Sequence, residues 1–159
     1  MRCKDPLLYF YKHAKFPVTA VRLPIVLDEN DATGRLQFHV NRIKNNEPIY
    51  LTSIESKIGF ISADDAAKAL YELSLNEFSG PINVASPDPI SLEDFINTIE
   101  TIVGNKAKIT NARLEGNVSP YNIAEDWNTN CSLLQSLGIE LERIQDYLPR
   151  MIKLIMKAF

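Results

Sequence analysis

Glycine is scarce in this sequence, and the glycines it has are far apart. There are six in 159 residues, and no two are close enough for a G-x-G-x-x-G motif or a P-loop. Both loops use closely spaced glycines so that backbone N–H groups can approach a phosphate. The sequence therefore excludes a phosphate-binding loop of either kind within these residues.

Residues that bind metals or form disulfides are also few. The histidines are His13 and His39, the cysteines are Cys3 and Cys131, and no Cys-x-x-Cys pair occurs. A structural zinc site needs about four clustered ligands, so no metal site is predicted. Two cysteines cannot build a disulfide framework, and we interpret them as free thiols in a cytoplasmic protein.

Long apolar runs and excess positive charge are absent as well. No apolar stretch approaches the roughly 20 residues that a membrane-spanning helix needs. Asp5 and Pro6 interrupt the start of the chain before a signal-peptide core could develop. The formal net charge is −3, whereas nucleic-acid phosphates are bound by basic surfaces. We therefore expect neither a membrane nor a nucleic acid as a partner.

Helical and strand patterns alternate along the chain, which predicts an α/β fold with parallel strand pairing. The first predicted helix begins at Asp5-Pro6. The others cover residues 36–43, 66–73, 91–103, 130–137 and 147–159, with Pro149 in the first turn of the last helix. The predicted strands cover residues 18–22, 48–52, 60–61, 82–85 and 106–110. These strands are too few for a complete doubly wound sheet, so a partial domain is indicated.

The sequence pattern predicts where several residues lie on their helices. Ala66, Leu70 and Leu73 repeat at helical spacing and are predicted to face one side of one helix. His39 lies in the middle of another helix, and we interpret it as a surface or half-buried side chain. In the helix at 91–103, Ser91 and Asp94 have the spacing of a capping box.

Three segments carry a family resemblance. Residues 18–26 read VTAVRLPIV, residues 60–70 read FISADDAAKAL and residues 81–95 read PINVASPDPISLEDF. In this order and spacing they resemble the C-terminal half of an extended short-chain dehydrogenase/reductase, the NAD-dependent epimerase/dehydratase family. The resemblance covers most of the chain, roughly residues 18–138.

The resemblance implies a partial Rossmann-like α/β fold joined to a small C-terminal α/β substrate lobe. The chain would be a single truncated domain over residues 1–159. Residues 5–27 and 63–85 would be the remnant of the cofactor-binding sheet and its helices, and residues 28–62 and 86–159 the substrate lobe. The family's glycine-rich loop and its Tyr-x-x-x-Lys pair belong to the part that precedes these segments.

The resemblance also implies where a cofactor would lie. In the family, backbone groups just after the strand arginine meet the nicotinamide, which makes Leu23, Pro24 and Val26 the candidate cofactor-binding residues. The other interpretation is that this segment is a buried strand running into a loop. NAD or NADP is implied for the intact family enzyme, and no bound cofactor is expected for this chain alone.

One match to the family's catalytic pair is rejected. Tyr11 and Lys15 have the Tyr-x-x-x-Lys spacing, but Lys15 is followed by Pro17 at the end of its helix. The family's lysine also precedes the arginine that corresponds to Arg22 by about twenty residues, which would place it at or before Met1. We therefore predict no catalytic residue in this chain.

Other positions depart from the family or have structural roles. Family members that bind a nucleotide sugar often carry asparagine and arginine where this sequence has Ile25 and Ile58, and Lys57 is next to the second. Ser62 replaces a family histidine. Asp65 is predicted to be structural, because a carboxylate at a helix N-terminus accepts free N–H groups.

Two functions from different classes remain. The first is the substrate-binding half of an NAD(P)-dependent sugar-nucleotide epimerase, dehydratase or reductase, inactive alone because hydride transfer needs the nicotinamide and its acid/base tyrosine. The second is a non-catalytic module that binds a small ligand or a protein. In either case the strand at 18–22 would have an unpaired edge. A homo-oligomer or a missing N-terminal half is therefore the expected partner, besides a small-molecule substrate.

Overall fold

The computed structural model describes residues 6–157, so the predicted N-cap at Asp5 lies outside the described residues. The helices are α1 (Pro6–His13), α2 (Arg35–Lys44), α3 (Ala63–Leu75), α4 (Leu92–Val103), α5 (Ser132–Ser136) and α6 (Ile144–Lys157). The strands are β1 (Thr19–Arg22), β2 (Ile25–Leu27), β3 (Pro48–Tyr50), β4 (Lys57–Ile58), β5 (Phe60–Ser62), β6 (Gly80–Asn83), β7 (Ile90–Ser91) and β8 (Lys108–Thr110).

The strands form pairs rather than one continuous sheet. β1 pairs with β6, β2 with β5 and β3 with β8, all parallel, whereas β4 and β7 are antiparallel. In the first pair Thr19 lies opposite Gly80 and Arg22 opposite Asn83. The two segments that the sequence analysis assigns to the cofactor-binding sheet are therefore paired in parallel, as a Rossmann-like sheet requires.

Two clusters of buried side chains hold these elements together. The larger one unites α2, α4 and α6 with β3 and β5, and includes Leu36, Val40, Ile43, Phe95, Ile99 and Ile152. The smaller one lies between α3, α5 and the β1–β6 pair, and includes Ala66, Ala69, Leu73, Ile82, Cys131 and Leu134. The predicted α/β class, with a partial Rossmann-like sheet beside a second lobe, is confirmed.

Helix α4 begins and ends as its sequence predicts. The Ser91 hydroxyl accepts a hydrogen bond from the Asp94 backbone N–H at 3.0 Å and donates one to the Asp94 carboxylate at 2.8 Å. Gly104 follows the helix with a φ of 85°, a left-handed conformation that glycine adopts without strain. Ser91 therefore caps α4, while the Asp94 carboxylate bonds to the capping hydroxyl and not, as in a capping box, to the backbone N–H of the capping residue.

The predicted start of the last helix is wrong. α6 begins at Ile144, three residues before Tyr147, so Pro149 lies inside the helix rather than in its first turn. Proline has no N–H, and the carbonyl of Gln145 therefore loses its helical donor. The helix continues because its apolar side packs on the larger core through Leu148 and Ile152, both fully buried.

None of the helices within residues 6–157 is both long and apolar enough to cross a membrane.

Candidate functional site

The candidate site is the turn at the carboxyl end of β1. There the chain leaves the β1–β6 pair at Leu23-Pro24 and enters β2, which pairs with β5 instead. In open α/β sheets, ligands bind beyond the carboxyl ends of parallel strands at the point where the topology changes. This turn lies at the carboxyl end of a parallel strand, and there the chain passes from one strand pair to another.

The three predicted cofactor residues differ in exposure. The Leu23 side chain is 40% exposed, and Pro24 is half-buried beside it. Val26 lies within β2 opposite Ile61, and its half-buried side chain packs against the smaller core cluster. Leu23 and Pro24 are therefore accessible at the turn, while Val26 anchors the turn to the core.

The rejected catalytic pair lies far from this turn. The Tyr11 hydroxyl oxygen is 3.8 Å from the point that a Cβ on Gly80 would occupy, at the amino end of the β1–β6 pair. The carboxyl end is about 10 Å further along the strand, since each residue advances about 3.3 Å. Lys15 lies beyond the end of α1 at His13, so the two side chains do not share a helical face. Both observations argue against a catalytic role for Tyr11 and Lys15.

The two isoleucines that replace polar family residues are part of the scaffold. Ile58 is fully buried in β4 within the larger core cluster, and Ile25 packs against the same cluster from β2. Lys57, next to Ile58, is exposed, and its backbone N–H donates to the Asp126 carboxylate at 2.8 Å. Both positions therefore contribute apolar side chains to the core.

Asp65 has a structural role, as predicted, but its carboxylate accepts a backbone N–H from outside its own helix. Ser62 caps α3, and its hydroxyl accepts the Asp65 backbone N–H at 3.1 Å. The Asp65 carboxylate accepts the backbone N–H of Glu142 at 2.7 Å, from the segment that leads into α6. This bond joins the start of α3 to a loop 77 residues away, a partner that no local sequence signal reveals.

Replacing Asp65 with alanine is expected to lower the free energy of unfolding by about 1.5–3 kcal/mol, because the N–H of Glu142 loses a charged acceptor. Asp65→Asn keeps an oxygen acceptor and is expected to cost about 1 kcal/mol. Urea unfolding at neutral pH measures both. Asp64→Ala is the matched control, since Asp64 is the exposed neighbour at the same helix start. Equal losses for the two alanine variants would contradict this role.

The prediction for His39 is wrong, because this side chain is only 1% exposed. Its Nδ1 lies 2.8 Å from the carbonyl oxygen of Arg35 and must donate to it, so Nε2 accepts the Ser119 hydroxyl, also at 2.8 Å. The ring stacks on Tyr121 at a centroid distance of 5.0 Å. Burial lowers the pKa of His39 to about 4, although the bond to Arg35 raises it. The histidine is therefore a neutral connector between α2 and the segment around Ser119.

A cavity lies beside Cys131. It has a volume of about 350 Å³ and is lined by residues that include Ala85, Cys131, Leu134 and Ile139. Burial raises the pKa of the Cys131 thiol, although a backbone hydrogen bond with Ala85 lowers it. The thiol donates a weak hydrogen bond to the Thr129 carbonyl at 3.6 Å. The Cys131 thiol therefore lines the cavity in its protonated form and is a poor nucleophile.

Among residues 6–157, no group of three or more histidine, cysteine, aspartate and glutamate side chains is arranged to hold a metal ion.

Comparison with solved structures defines the class of fold. The chain has the fold of about half of an NAD-dependent sugar-nucleotide epimerase or dehydratase, as the sequence resemblance predicts. The chain spans about half the length of the structures it matches. No protein-family model matches the sequence, and no curated protein sequence matches it.

Three solved structures show how similar this chain is to them in sequence and in fold. The UDP-N-acetylglucosamine 4-epimerase of Methanobrevibacter ruminantium, in complex with UDP-N-acetylmuramic acid, is 18% identical with a TM-score of 0.72, over 97% of this chain and 51% of that one. A mutant UDP-glucuronic acid 4-epimerase of Bacillus cereus, in complex with a UDP-sugar and NAD, is 16% identical with a TM-score of 0.75, over 96% and 49%. The UDP-glucose 4-epimerase of Thermus thermophilus, in complex with NAD, is 13% identical with a TM-score of 0.72, over 97% and 51%.

Proposed function

We propose that this chain is the substrate-side half of an NAD(P)-dependent sugar-nucleotide epimerase, dehydratase or reductase that acts in the cytoplasm. The observation that carries the proposal is that 97% of the chain matches about half of a sugar-nucleotide epimerase. Alone it turns nothing over, because the sequence holds no glycine-rich phosphate loop and Tyr11 lies at the wrong end of the β1–β6 pair.

In the proposed enzyme the turn after β1 meets the cofactor. Leu23 and Pro24 present backbone and apolar surface to the nicotinamide of NAD or NADP, and Val26 holds the turn in register with β5. The phosphates of the cofactor bind to the complementary half, which must supply the glycine-rich loop. The complementary half also supplies the tyrosine that transfers a proton while hydride moves to or from the nicotinamide.

We assign the two parts of the chain to two tasks. Residues 5–27 and 63–85 form the sheet side, and residues 28–62 and 86–159 form the substrate lobe. The two core clusters support this division in part: Ile61 and α5, through Leu134, pack on the sheet side, and Leu27 packs in the larger cluster. The substrate class is a sugar nucleotide or a related carbonyl compound. Ile25 and Ile58 favour a substrate with fewer polar contacts to its diphosphate at these positions.

The test compares NADH binding by this chain alone with binding by the chain co-expressed with the polypeptide encoded directly upstream of it. The fluorescence of bound NADH reports the complex. The expected result is binding by the pair and none by the chain alone. Leu23→Glu in the pair is expected to weaken binding about tenfold, or about 1.4 kcal/mol. Leu133→Glu is the matched control, since Leu133 is 44% exposed on α5.

Two results would overturn the proposal. One is a pair that leaves NADH unbound, and the other is upstream DNA that encodes no glycine-rich loop followed by a Tyr-x-x-x-Lys pair. Either result would favour the second candidate, a non-catalytic ligand-binding module. The 350 Å³ cavity beside Cys131 favours that candidate, because residues of this chain line it.

A further inference from the structure

Trp127 combines an exposed ring with a fixed backbone. It is the only tryptophan of the sequence, and 58% of its surface is exposed. Its backbone N–H donates to the carbonyl of Lys57 at 2.7 Å, and its own carbonyl accepts the N–H of Gly59 at 2.8 Å. These two bonds form a parallel bridge between Trp127 and Ile58. The backbone of Trp127 is therefore held like that of a strand residue, which fixes the position from which the indole ring projects.

The bridge places Trp127 close to the turn that follows β1. Gly59 comes directly before Phe60, which lies opposite Ile25 in the β2–β5 pair. Continuing this register by one residue sets Gly59 beside Pro24. Neighbouring strands lie about 4.8 Å apart, so two such steps separate the backbones of Trp127 and Pro24 by no more than about 10 Å. Trp127 and the candidate site therefore belong to one region of the molecule.

The residues after Trp127 continue to the carboxyl end of the β1–β6 pair. The carbonyl of Asn130 accepts the side-chain amide of Asn83 at 3.0 Å, and Asn83 lies opposite Arg22 where β1 and β6 end. Residues 127–130 therefore run along this end of the sheet. In open α/β sheets, the space beyond the carboxyl ends of parallel strands holds ligands rather than further strands. The exposure of Trp127 thus differs from that of an open strand edge.

The indole ring lies on the side of the larger core. Residues that face each other across a bridge project their side chains to the same side of the strands. Ile58, the bridge partner of Trp127, is fully buried in the larger core cluster. Trp127 stands at the edge of this cluster, because more than half of its own surface is exposed. The ring is therefore a flat apolar surface beside the larger core, close to the end of the sheet.

We propose that the ring of Trp127 stacks against the sugar ring of the substrate. This inference rests on the proposed function and adds a specific contact to it. In that function the reacting carbon of the sugar must come within about 3–3.5 Å of the nicotinamide. The turn at Leu23-Pro24 meets the nicotinamide. The sugar therefore lies between this turn and the larger core, where Trp127 stands.

A sugar ring suits this surface better than a charged group does. One face of a pyranose carries mainly C–H groups, which pack on an aromatic face, while the hydroxyls at its edge stay free for polar contacts. Ligand sites commonly combine aromatic side chains with a few polar groups in this way. The indole has one N–H donor and no acceptor or charge, so it has little to offer a diphosphate. Trp127 is therefore assigned to the sugar and not to the phosphates.

The fluorescence of Trp127 reports this contact directly, because the sequence has no other tryptophan. The full chain is titrated with UDP-glucose and, separately, with UDP. The expected result is that UDP-glucose changes the emission, whereas UDP, which has the base, the ribose and the phosphates but no glucose, leaves it unchanged. Since a base also stacks on an aromatic ring, an emission that UDP changes as much as UDP-glucose does would overturn the proposal.

Calorimetry of variants tests the same contact without fluorescence, on the chain alone and on the co-expressed pair. Trp127→Ala is expected to weaken the binding of UDP-glucose about tenfold, whereas Trp127→Tyr keeps an aromatic face and is expected to weaken it by no more than about threefold. Leu154→Ala is the control, since Leu154 is 45% exposed on α6, and it is expected to bind like the unmodified chain. Circular dichroism establishes that each variant is folded.

Two calorimetric results would overturn the proposal. One is equal affinity for UDP-glucose before and after Trp127→Ala, and the other is no binding of UDP-glucose by either the chain or the pair. Neither measurement needs a nicotinamide cofactor. A pair that binds UDP-glucose through Trp127 but leaves NADH unbound would overturn the proposed function and not this contact, so the two failures are distinguishable.

Discussion

Lowering the pH from 6.5 to about 4 is expected to reduce the free energy of unfolding by about 3 kcal/mol through His39 alone. Burial holds the pKa of this residue near 4 in the folded state, against an ordinary value of 6.5. Between these values the unfolded chain binds the proton and the folded chain does not. The contribution of His39 to the free energy of unfolding is therefore fully present above pH 6.5. It is lost as the pH falls and changes little below about pH 4.

Urea unfolding over this pH range measures the effect. The His39→Gln variant is expected to be less stable at neutral pH but to lose less on acidification, because it has no imidazole to protonate. Burial raises the pKa of the Asp31 and Glu100 carboxyls, but hydrogen bonds and nearby cations lower them by more. The contribution of these carboxyls is therefore lost at lower pH than that of His39. Titration of His39 by NMR gives its pKa directly, and a value near 6.5 would contradict the prediction.

Phe95→Ala is expected to cost about 3–5 kcal/mol, because it opens a cavity in the centre of the larger core. Phe95 has no exposed surface. Its ring lies edge-on to His39 at 5.2 Å and to Tyr121 at 5.5 Å, and it stacks on Phe60 at 5.8 Å. Alanine removes all three contacts, whereas leucine fills most of the same volume and is expected to cost about 1 kcal/mol.

Thermal and urea unfolding of these two variants provide the measurement. Leu154→Ala is the control, since a substitution at this exposed position is expected to change stability by no more than about 0.5 kcal/mol. If Phe95→Ala does not fold, the comparison of Phe95→Leu with Leu154→Ala still tests the cluster. A Phe95 variant as stable as the Leu154 control would show that this aromatic cluster does not hold the core.

The aromatic cluster and the candidate ligand-binding residues differ in exposure. Phe95 has no exposed surface, whereas Leu23 is 40% exposed. Phe60, which stacks on Phe95, lies opposite Ile25 in the β2–β5 pair, so the cluster supports the strand that follows the turn at Leu23-Pro24. Variants of the core are therefore expected to affect stability first, and variants of Leu23 to affect cofactor binding in the proposed enzyme.

Local sequence patterns determine much of the secondary structure and part of the candidate site. Ser91, Asp94 and Gly104 define both ends of α4, because capping depends on residues that are three or four positions apart or adjacent. The parallel strands on both sides of α3 follow from the alternation of strand and helix. The turn at Leu23-Pro24 is located by its resemblance to one family, and its role with a cofactor stays a prediction.

The tertiary structure alone decides the partners of the polar groups and the faces that remain exposed. Asp65 finds the N–H of Glu142, and His39 finds Ser119 at a separation of 80 residues. Leu70 has the same helical spacing as the buried Ala66 and Leu73, but it is 47% exposed. Spacing along a helix gives the faces of that helix, whereas burial depends on what lies opposite.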